Sequence, residues 1–293
     1  MDYMAILKKS FAITIKNRYL WIFAILAGGV GSNWGSFSNG SSFSDKWDNT
    51  INQAQISNFW NNYGGIILII LCLVLLLGFF WIILSIISQG ALLGSVEAIQ
   101  KGKKHNFWLG LNYGWHKFWR VFGVGILLFL IVLLSVVVLA LPVILFVIAK
   151  IYVLAVIYGI LIFLVDLVLW LYLGVVSPYI QRLAVLGDHS AWQAIVSSWD
   201  FFKKNIKDIL IVYLLLIAVG IAAGIAMILV VLLVGGLLAA LGFGLYLASM
   251  AVFWMYVAVF GFAFIVFVLI LGGIISTFNS SVLTLVYLEL TKS

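Results

Sequence analysis

The chain has 293 residues, of which 66% are hydrophobic and 9% are charged. A soluble domain of this size cannot bury that much apolar surface, and continuous apolar runs exclude a transmembrane β-barrel, whose strands alternate in polarity. Several uncharged runs exceed the about 20 residues that a helical span needs. The composition therefore predicts an all-α polytopic membrane protein. The formal charge of +7 favours contact with an anionic membrane face rather than with nucleic acid.

Six apolar segments are predicted to span the membrane. The first covers roughly residues 12–31, as the continuation of a basic amphipathic helix, and a polar loop follows at 32–62. The other five are expected at 64–88, 121–149, 151–176, 209–234 and 246–275. Lys150 marks the turn between the third and fourth spans, and the glycines at 235–236 and 242–244 mark the turn between the last two.

Helices with one apolar face precede the odd-numbered spans. The clearest carries Trp192, Ile195, Trp199, Phe202 and Ile206, which step by three and four and so share one helical face. The opposite face holds Gln193, Ser197, Asp200, Lys204 and Lys207. The same pattern occurs at Trp108, Leu111, Trp115 and Phe118, followed by Arg120, and more weakly at Met4, Leu7 and Phe11, followed by Lys16. Such patterns indicate helices that lie in the membrane interface.

The recurrence of this pattern predicts three repeats within a single membrane domain, residues 1–293. Each repeat has an amphipathic interface helix, a helical hairpin and a tail that starts at Ser88, Ser177 or Ser280. The units cover about 4–101, 106–188 and 190–292.

The distribution of charge predicts the topology. With the amino terminus inside, the inner segments hold all of the 16 Lys and Arg residues except Lys46 and Lys150, and Arg182 is counted among the inner ones. The positive-inside rule then places both termini in the cytoplasm and residues 32–62 outside.

Part of the chain resembles a known family. Pro178, Ala194–Ile195, Ser198–Trp199, Phe201 and Lys204–Asn205, followed by an apolar run, resemble the membrane-domain family named after glycerophosphodiester phosphodiesterases. The resemblance covers residues 178–216. It implies a six-helix fold and the inner membrane of a prokaryote, but little activity, since the chemistry of those enzymes belongs to a separate soluble barrel for which this chain has no room.

Residues that could carry chemistry are few. No phosphate loop, nucleophile elbow or histidine pair with metal-ligand spacing occurs in the sequence, so neither an enzyme nor a cofactor is predicted. Asp166 lies deep in the fourth span, where an ionised carboxylate is costly. It is expected to hydrogen-bond to a hydroxyl such as Ser135 or Ser249, or to a backbone carbonyl; the functional alternative is a site that carries a proton. Gly220 and Gly224, four residues apart, are expected to pack helices within the chain or to form a homo-oligomer contact.

The functional hypotheses differ in which of these features they use. The first is a non-enzymatic membrane protein that organises lipid or a protein partner at the cytoplasmic leaflet; the partner is membrane-bound or cytoplasmic. Its predicted contact residues are Trp108, Trp115, Lys117, Arg120, Trp192, Trp199, Lys203, Lys204 and Lys207. The alternative is a small proton-linked transporter or channel that uses Asp166.

Overall fold

The computed structural model describes residues 1–28, 53–103 and 105–292, except for the side chains of residues 53–62 and of Ala248. These ranges hold seven α-helices and no β-strand, which confirms the all-α class. The helices are α1 (Tyr3–Lys16), α2 (Tyr19–Ala27), α3 (Gln53–Gln100), α4 (Phe107–Ile148), α5 (Tyr152–Val185), α6 (Ala191–Ala248) and α7 (Met250–Leu290).

Five helical segments of the described chain are long and apolar enough to cross a membrane. They are Tyr63–Gln100, Phe107–Ile148, Tyr152–Val185, Ala191–Leu247 and Met250–Leu290. The protein is therefore a helical membrane protein with several candidate spans. The count of six spans and the threefold repeat stay predictions.

The amino-terminal region differs from the predicted first span, residues 12–31. Helix α1 starts at an Asp2 cap and ends at Lys16, because Asn17 leaves the helical conformation (φ −115°, ψ 72°). The expectation that α1 continues into the span is therefore wrong. The next helix, α2, has nine residues, or about 13–14 Å, which is less than half the thickness of a bilayer core. Residues 29–31 of the predicted span lie outside the described part of the chain.

Of three predicted connections, two differ from those in the structure and one is confirmed. The prediction of a polar loop at 32–62 is wrong for residues 53–62, which already belong to α3, and residues 32–52 lie outside the described part. The turn at Lys150 is confirmed, with a φ of 60°. The turn predicted at the glycines of 235–244 is wrong: α6 continues through them to Ala248, and Ser249 alone is extended between α6 and α7. Glycine is tolerated there because a membrane helix satisfies its own backbone hydrogen bonds.

The buried core lies at one end of the bundle, where α3, α5 and α7 end and α4 and α6 begin. We call this the basic end, because Lys101, Lys117, Arg120 and the three lysines of α6 surround it. The carboxyl-terminal segments of α3, α5 and α7 supply most of the core, together with α1 and α2. The apolar middles of the five candidate spans are almost wholly exposed within the chain. They can therefore contact acyl chains along most of their length.

Helices α3 and α4 approach each other closely through small residues. A Cβ atom at Gly114 would lie 2.2 Å from the Ile87 carbonyl oxygen, and one at Gly90 would lie 3.2 Å from the Gly114 Cα. A Cβ atom at Gly94 would lie 2.2 Å from the Tyr113 ring, and one at Gly110 would lie 2.6 Å from Ser95 Oγ. Two glycine pairs with four-residue spacing thus face each other, and they let the two backbones approach.

Candidate functional site

The first segment of α4 carries the tryptophans that the sequence assigned to the membrane interface. Trp108 is 76% exposed and Trp115 is 64% exposed. The opposite side of the same segment packs onto α3 through Gly110 and Gly114. This segment is continuous with the span, since α4 runs without a break from Phe107 to Ile148. The prediction of an interface helix separate from the span is therefore wrong for α4.

The corresponding segment of α6 is set off from its span. It begins at a capping box, in which the Gln193 N–H donates to Ser190 Oγ (3.3 Å) and the Ser190 N–H donates to Gln193 Oε1 (3.2 Å). Asn205 departs from helical geometry (φ −117°, ψ 20°), and its Nδ2 donates to the Phe201 carbonyl (2.9 Å). The segment before Asn205 can thus lie at an angle to the span that follows.

The side of this segment that faces the protein is lined by small and polar residues. Ala194, Ser198 and Asn205 are buried, whereas Trp192 and Trp199 are exposed. The amphipathic assignment is consistent with this arrangement if the tryptophans face lipid. Lys203 Nζ lies 4.4 Å from the centroid of the Trp199 ring, which joins a cation to an exposed aromatic side chain. Lys203, Lys204 and Lys207 make no salt bridge with any described residue.

Lys117 and Arg120 form salt bridges within the described chain, unlike the three lysines of α6. Lys117 Nζ and Arg120 Nη1 both contact Asp188 Oδ1, in the connection between α5 and α6. These two hydrogen-bonded cations hold the pKa of the Asp188 carboxyl below its ordinary value. Asp188 itself is strained, with a φ of 57°, and it is exposed. The two cations therefore tie α4 to this connection and are less available to lipid than the lysines of α6.

Asp166 lies in α5 with one oxygen hidden. Its Oδ1 is inaccessible to solvent and has no hydrogen-bond partner among the described residues. The Ser135 hydroxyl, one of its two predicted partners, donates instead to the Val132 carbonyl (2.8 Å). The other, Ser249, forms the break between α6 and α7. The predicted hydrogen bond from either serine to this oxygen is therefore not made.

Gly220 and Gly224 do not pack helices within the described chain. No atom of another segment lies within 4 Å of a Cβ built at either glycine. The expectation of intrachain packing at this pair is therefore wrong. The homo-oligomer contact stays a prediction.

The topology prediction placed Arg182 in an inner loop; the loop is wrong, and the cytoplasmic side stays a prediction. The residue lies within α5, and only 3% of it is exposed. Its Nε donates to Thr284 Oγ1 (3.2 Å), Nη1 to the Pro178 carbonyl (2.6 Å), and Nη2 to the Ser280 carbonyl (3.0 Å) and hydroxyl (3.5 Å). All of these acceptors are neutral.

No carboxylate of the described chain forms a salt bridge with Arg182. Burial of a charged group costs several kcal/mol, and neutral acceptors offset this only in part. A guanidinium stays protonated in a protein, so the charge cannot be lost to lower the cost. Arg182 is therefore a buried positive charge without a counter-ion in the described chain.

A cavity of about 950 Å³ lies beside Arg182, between the ends of α3, α5 and α7 and the spans of α4 and α6. Its polar lining includes Gln89, Ser177, Gln181, Arg182, Tyr213, Ser276, Asn279 and Ser280. The Gln89 side-chain amide donates to Gln181 Oε1 (2.9 Å), which links α3 to α5 across the cavity. Apolar side chains of all five long helices form the rest of the wall.

The sequence carries a signal for this cavity, although none of its residues was predicted as a site. Gln89, Gln181–Arg182 and Asn279–Ser280 all follow closely on the ends of apolar runs, where the three tails begin. Polar side chains at equivalent points of three tails indicate a shared polar interior if the tails pack together. No group of three His, Cys, Asp or Glu residues that could hold a metal occurs within the described ranges.

Comparison with known proteins places the chain in one family. It matches the family of unknown function DUF7544 over residues 18–291, and it therefore belongs to that family. The comparison with curated proteins gave no match. The comparison with solved structures gave none either. The resemblance to the membrane domains of glycerophosphodiester phosphodiesterases stays a prediction.

Proposed function

We propose that this protein is a non-enzymatic integral membrane protein that organises anionic lipid at the cytoplasmic leaflet. The observation that carries the proposal is the exposed face of α6, where Trp192 and Trp199 lie on the same segment as Lys203, Lys204 and Lys207. Tryptophan favours the boundary between headgroups and acyl chains. Each lysine near an anionic surface contributes about 1 kcal/mol to the attraction.

The orientation in the membrane follows from the same charges. The basic end holds most of the cations, while Lys150 lies at the other end of the α4–α5 hairpin. The positive-inside rule therefore favours a cytoplasmic basic end, with both termini in the cytoplasm. The resemblance to the membrane domains of glycerophosphodiester phosphodiesterases implies the inner membrane of a prokaryote. The packing of the α3, α5 and α7 tails against one another supports three repeats, each of which would contribute one tail to the core.

The composition of the lipid that surrounds the protein tests the proposal. The protein is extracted with its neighbouring lipid in polymer nanodiscs, and the ratio of anionic to zwitterionic lipid is measured by mass spectrometry. We expect this ratio to exceed that of the whole membrane. In the triple variant Lys203→Gln/Lys204→Gln/Lys207→Gln, it should fall toward the bulk value, and high salt should weaken the enrichment of the original protein.

The single variant Lys150→Gln is the control, because it removes one lysine at the opposite end of the hairpin. Its lipid ratio should equal that of the original protein. If the folded triple variant keeps the full enrichment, the lysines of α6 do not organise lipid. A soluble or membrane partner would then be the remaining candidate for this face.

A proton-linked transporter is the second candidate function. The observation in its favour is Asp166, which has an inaccessible oxygen without a hydrogen-bond partner among the described residues. Intramembrane acids of this kind mark proton paths in many transporters. Proton flux into liposomes that hold the protein, measured with an internal pH dye, distinguishes this candidate from the first. A flux that Asp166→Asn abolishes would favour the transporter.

A further inference from the structure

We infer that the cavity beside Arg182 binds one membrane amphiphile, whose carboxylate or phosphate headgroup pairs with the Arg182 guanidinium and whose tail lies along the apolar wall. The inference rests on the proposed function in one respect, the placement of the basic end at a leaflet. It adds a cavity between the helices to the open surface of α6, and it names the chemistry of the occupant.

The charge of Arg182 defines the headgroup. Its hydrogen-bond partners are carbonyls and hydroxyls, and its two-hydrogen Nη1 group has one acceptor among the described residues, the Pro178 carbonyl. No Asp or Glu is among the described residues that line the cavity. A guanidinium binds planar oxyanions through paired hydrogen bonds, and a carboxylate or phosphate group would supply the missing negative charge.

The other polar groups of the cavity can complete the headgroup site. Gln181 uses its carbonyl oxygen to accept from Gln89 (2.9 Å), which leaves its NH₂ group as a donor. Asn279 and Ser276 also line the cavity. These neutral donors lie on α5 and α7, beside the guanidinium. They can donate hydrogen bonds to those oxygen atoms of the anion that the Arg182 guanidinium does not reach.

The apolar wall indicates an amphiphile rather than a free anion. Ile82, Ile126, Phe129, Trp170 and Ile217 line the cavity, and each is exposed within the apolar part of its helix. The cavity is therefore open to the region that acyl chains occupy. A small soluble anion would gain nothing from this wall, whereas a hydrocarbon tail would bury its surface there.

The polar residues of the cavity lie at the depth that a lipid headgroup would occupy. Gln89, Ser177 and Ser276 each come directly after an apolar run, 64–88, 151–176 and 246–275. Ile82, Trp170 and Gly272 precede them by one to two helical turns along the same helices. A lipid whose headgroup meets Arg182 would thus direct its tail toward the middle of the bilayer, in the ordinary orientation of that leaflet.

Photolabelling tests the inference. The full chain is reconstituted in phosphatidylcholine nanodiscs that contain a trace of phosphatidic acid with a photoreactive acyl chain, and the labelled peptides are identified by mass spectrometry. We expect labels on peptides that line the cavity, and about tenfold fewer labels when phosphatidylcholine carries the photoreactive group. Arg182→Met should lower labelling by phosphatidic acid by about tenfold or more.

Two filling variants keep the test valid if Arg182→Met does not fold. Gly125 and Gly272 line the cavity, and no atom of another segment lies within 4 Å of a Cβ built at either. In Gly125→Leu and Gly272→Leu the new side chain should therefore fill part of the cavity without a clash at its Cβ. Each variant should lower labelling. Gly220→Leu is the matched control, since its surroundings are equally open and lie outside the cavity, and its labelling should equal that of the original protein.

The outcomes separate this site from the lipid surface of α6. The triple lysine variant should lose the general enrichment of anionic lipid but keep the label in the cavity. Equal labelling by both lipids, or full labelling of folded Arg182→Met or Gly125→Leu, would overturn the cavity site whatever the result for the lysines. Displacement of the label by millimolar inorganic phosphate would also overturn it, because the occupant would then be a soluble anion.

Discussion

Arg182 and Thr284 join α5 to α7 at the basic end, through a hydrogen bond of 3.2 Å from Nε to Oγ1. Thr284 does not depend on this bond, because its own hydroxyl donates to the Ser280 carbonyl at 2.7 Å. Loss of the guanidinium would therefore leave the threonine hydroxyl with a partner. The arrangement stabilises the charge of Arg182 more than it stabilises α7.

The first prediction follows from this asymmetry. Replacement of a buried ion pair by apolar side chains of similar volume is often neutral or stabilising, because burial of each charge costs several kcal/mol, and Arg182 bears this cost without an ion-pair partner among the described residues. In nanodiscs of phosphatidylcholine alone, we expect Arg182→Met to unfold at the same temperature as the original protein or above it. Added phosphatidic acid should raise the thermal midpoint of the original protein but not that of the variant, because a ligand stabilises only the state that binds it. A marked loss of stability of Arg182→Met in phosphatidylcholine alone would show that the arginine holds the fold.

The second prediction concerns the contact between α3 and α4. Gly114→Leu should destabilise the protein, since even its Cβ would lie 2.2 Å from the Ile87 carbonyl oxygen and the helices would have to separate. Overpacking of this kind costs about 1–3 kcal/mol or more. Gly220→Leu should leave the thermal midpoint unchanged, because nothing lies near its Cβ. If Gly220→Leu is the more harmful of the two, that glycine has a partner in another copy of the chain.

These glycines also illustrate what the sequence could predict. The long apolar runs and Lys150 were sufficient to predict most spans and one turn. Gly110 and Gly114 have the same spacing as Gly220 and Gly224, and spacing alone does not say which pair meets another helix. The contact depends on the register between α3 and α4, which is a tertiary property.

Arg182 was missed for a similar reason. A single cation a few residues before Asp188 and His189 has the sequence pattern of an inner loop. Its burial depends on the tail of α7, about 100 positions later, whose Ser280 and Thr284 accept its hydrogen bonds. The turn at Ser249 was also missed, since nearby glycines are stronger turn signals in water than in a membrane, where a helix keeps its backbone paired.

The third prediction tests the topology. Single cysteines replace Gln193 and Lys150, both exposed, in a Cys72→Ser background. We expect an impermeant thiol reagent to label the cysteine at position 150 in intact cells, and the cysteine at position 193 only after the cells are opened. Labelling at position 193 alone in intact cells would show that the protein has the opposite orientation in the membrane. Ser198 is unsuitable as a labelling site because it is buried.

The fourth prediction concerns pH and the ion pairs of Asp188. The pKa of this carboxyl is lower in the folded protein than its ordinary value of 3.8, so its ion pairs stabilise the fold above that pH and are lost as the pH falls through the folded-state pKa. Asp188 is 69% exposed, and solvent screening limits the contribution to under about 1 kcal/mol.

Comparison of Asp188→Asn with the original protein measures this contribution. The variant should have a slightly lower thermal midpoint at pH 7, and the difference should shrink as the pH falls below the ordinary pKa of 3.8 and through the lower folded-state pKa. Asp200→Asn is the control, because Asp200 is exposed and forms no ion pair with any described residue, and it should change neither midpoint. A difference for Asp188→Asn that persists at acidic pH would mean that the carboxyl acts through the backbone conformation at this position, where φ is 57°.

The fifth prediction concerns Asp166, on which the two candidate functions disagree. Its Oδ1 is inaccessible to solvent and has no hydrogen-bond partner among the described residues. That oxygen therefore contributes no hydrogen bond to the fold. Removal of a buried polar group that lacks a partner is neutral or favourable. We therefore expect Asp166→Leu to unfold at the same temperature as the original protein or above it. Both Asp166→Leu and Asp166→Asn should keep the lipid ratio and the labelled cavity, since Asp166 does not line that cavity.

Asp166→Asn separates the lipid function from proton transport more sharply than Asp166→Leu. The amide keeps nearly the same shape and can form hydrogen bonds, but it cannot bind and release a proton. A protein that organises lipid should lose nothing in Asp166→Asn, either in nanodiscs or in the phenotype of a deletion strain. A proton-linked transporter should lose its flux completely while the variant stays folded. A well-folded Asp166→Asn protein without activity would therefore contradict the proposed function and favour the transporter, because no loss of packing or polarity could account for it.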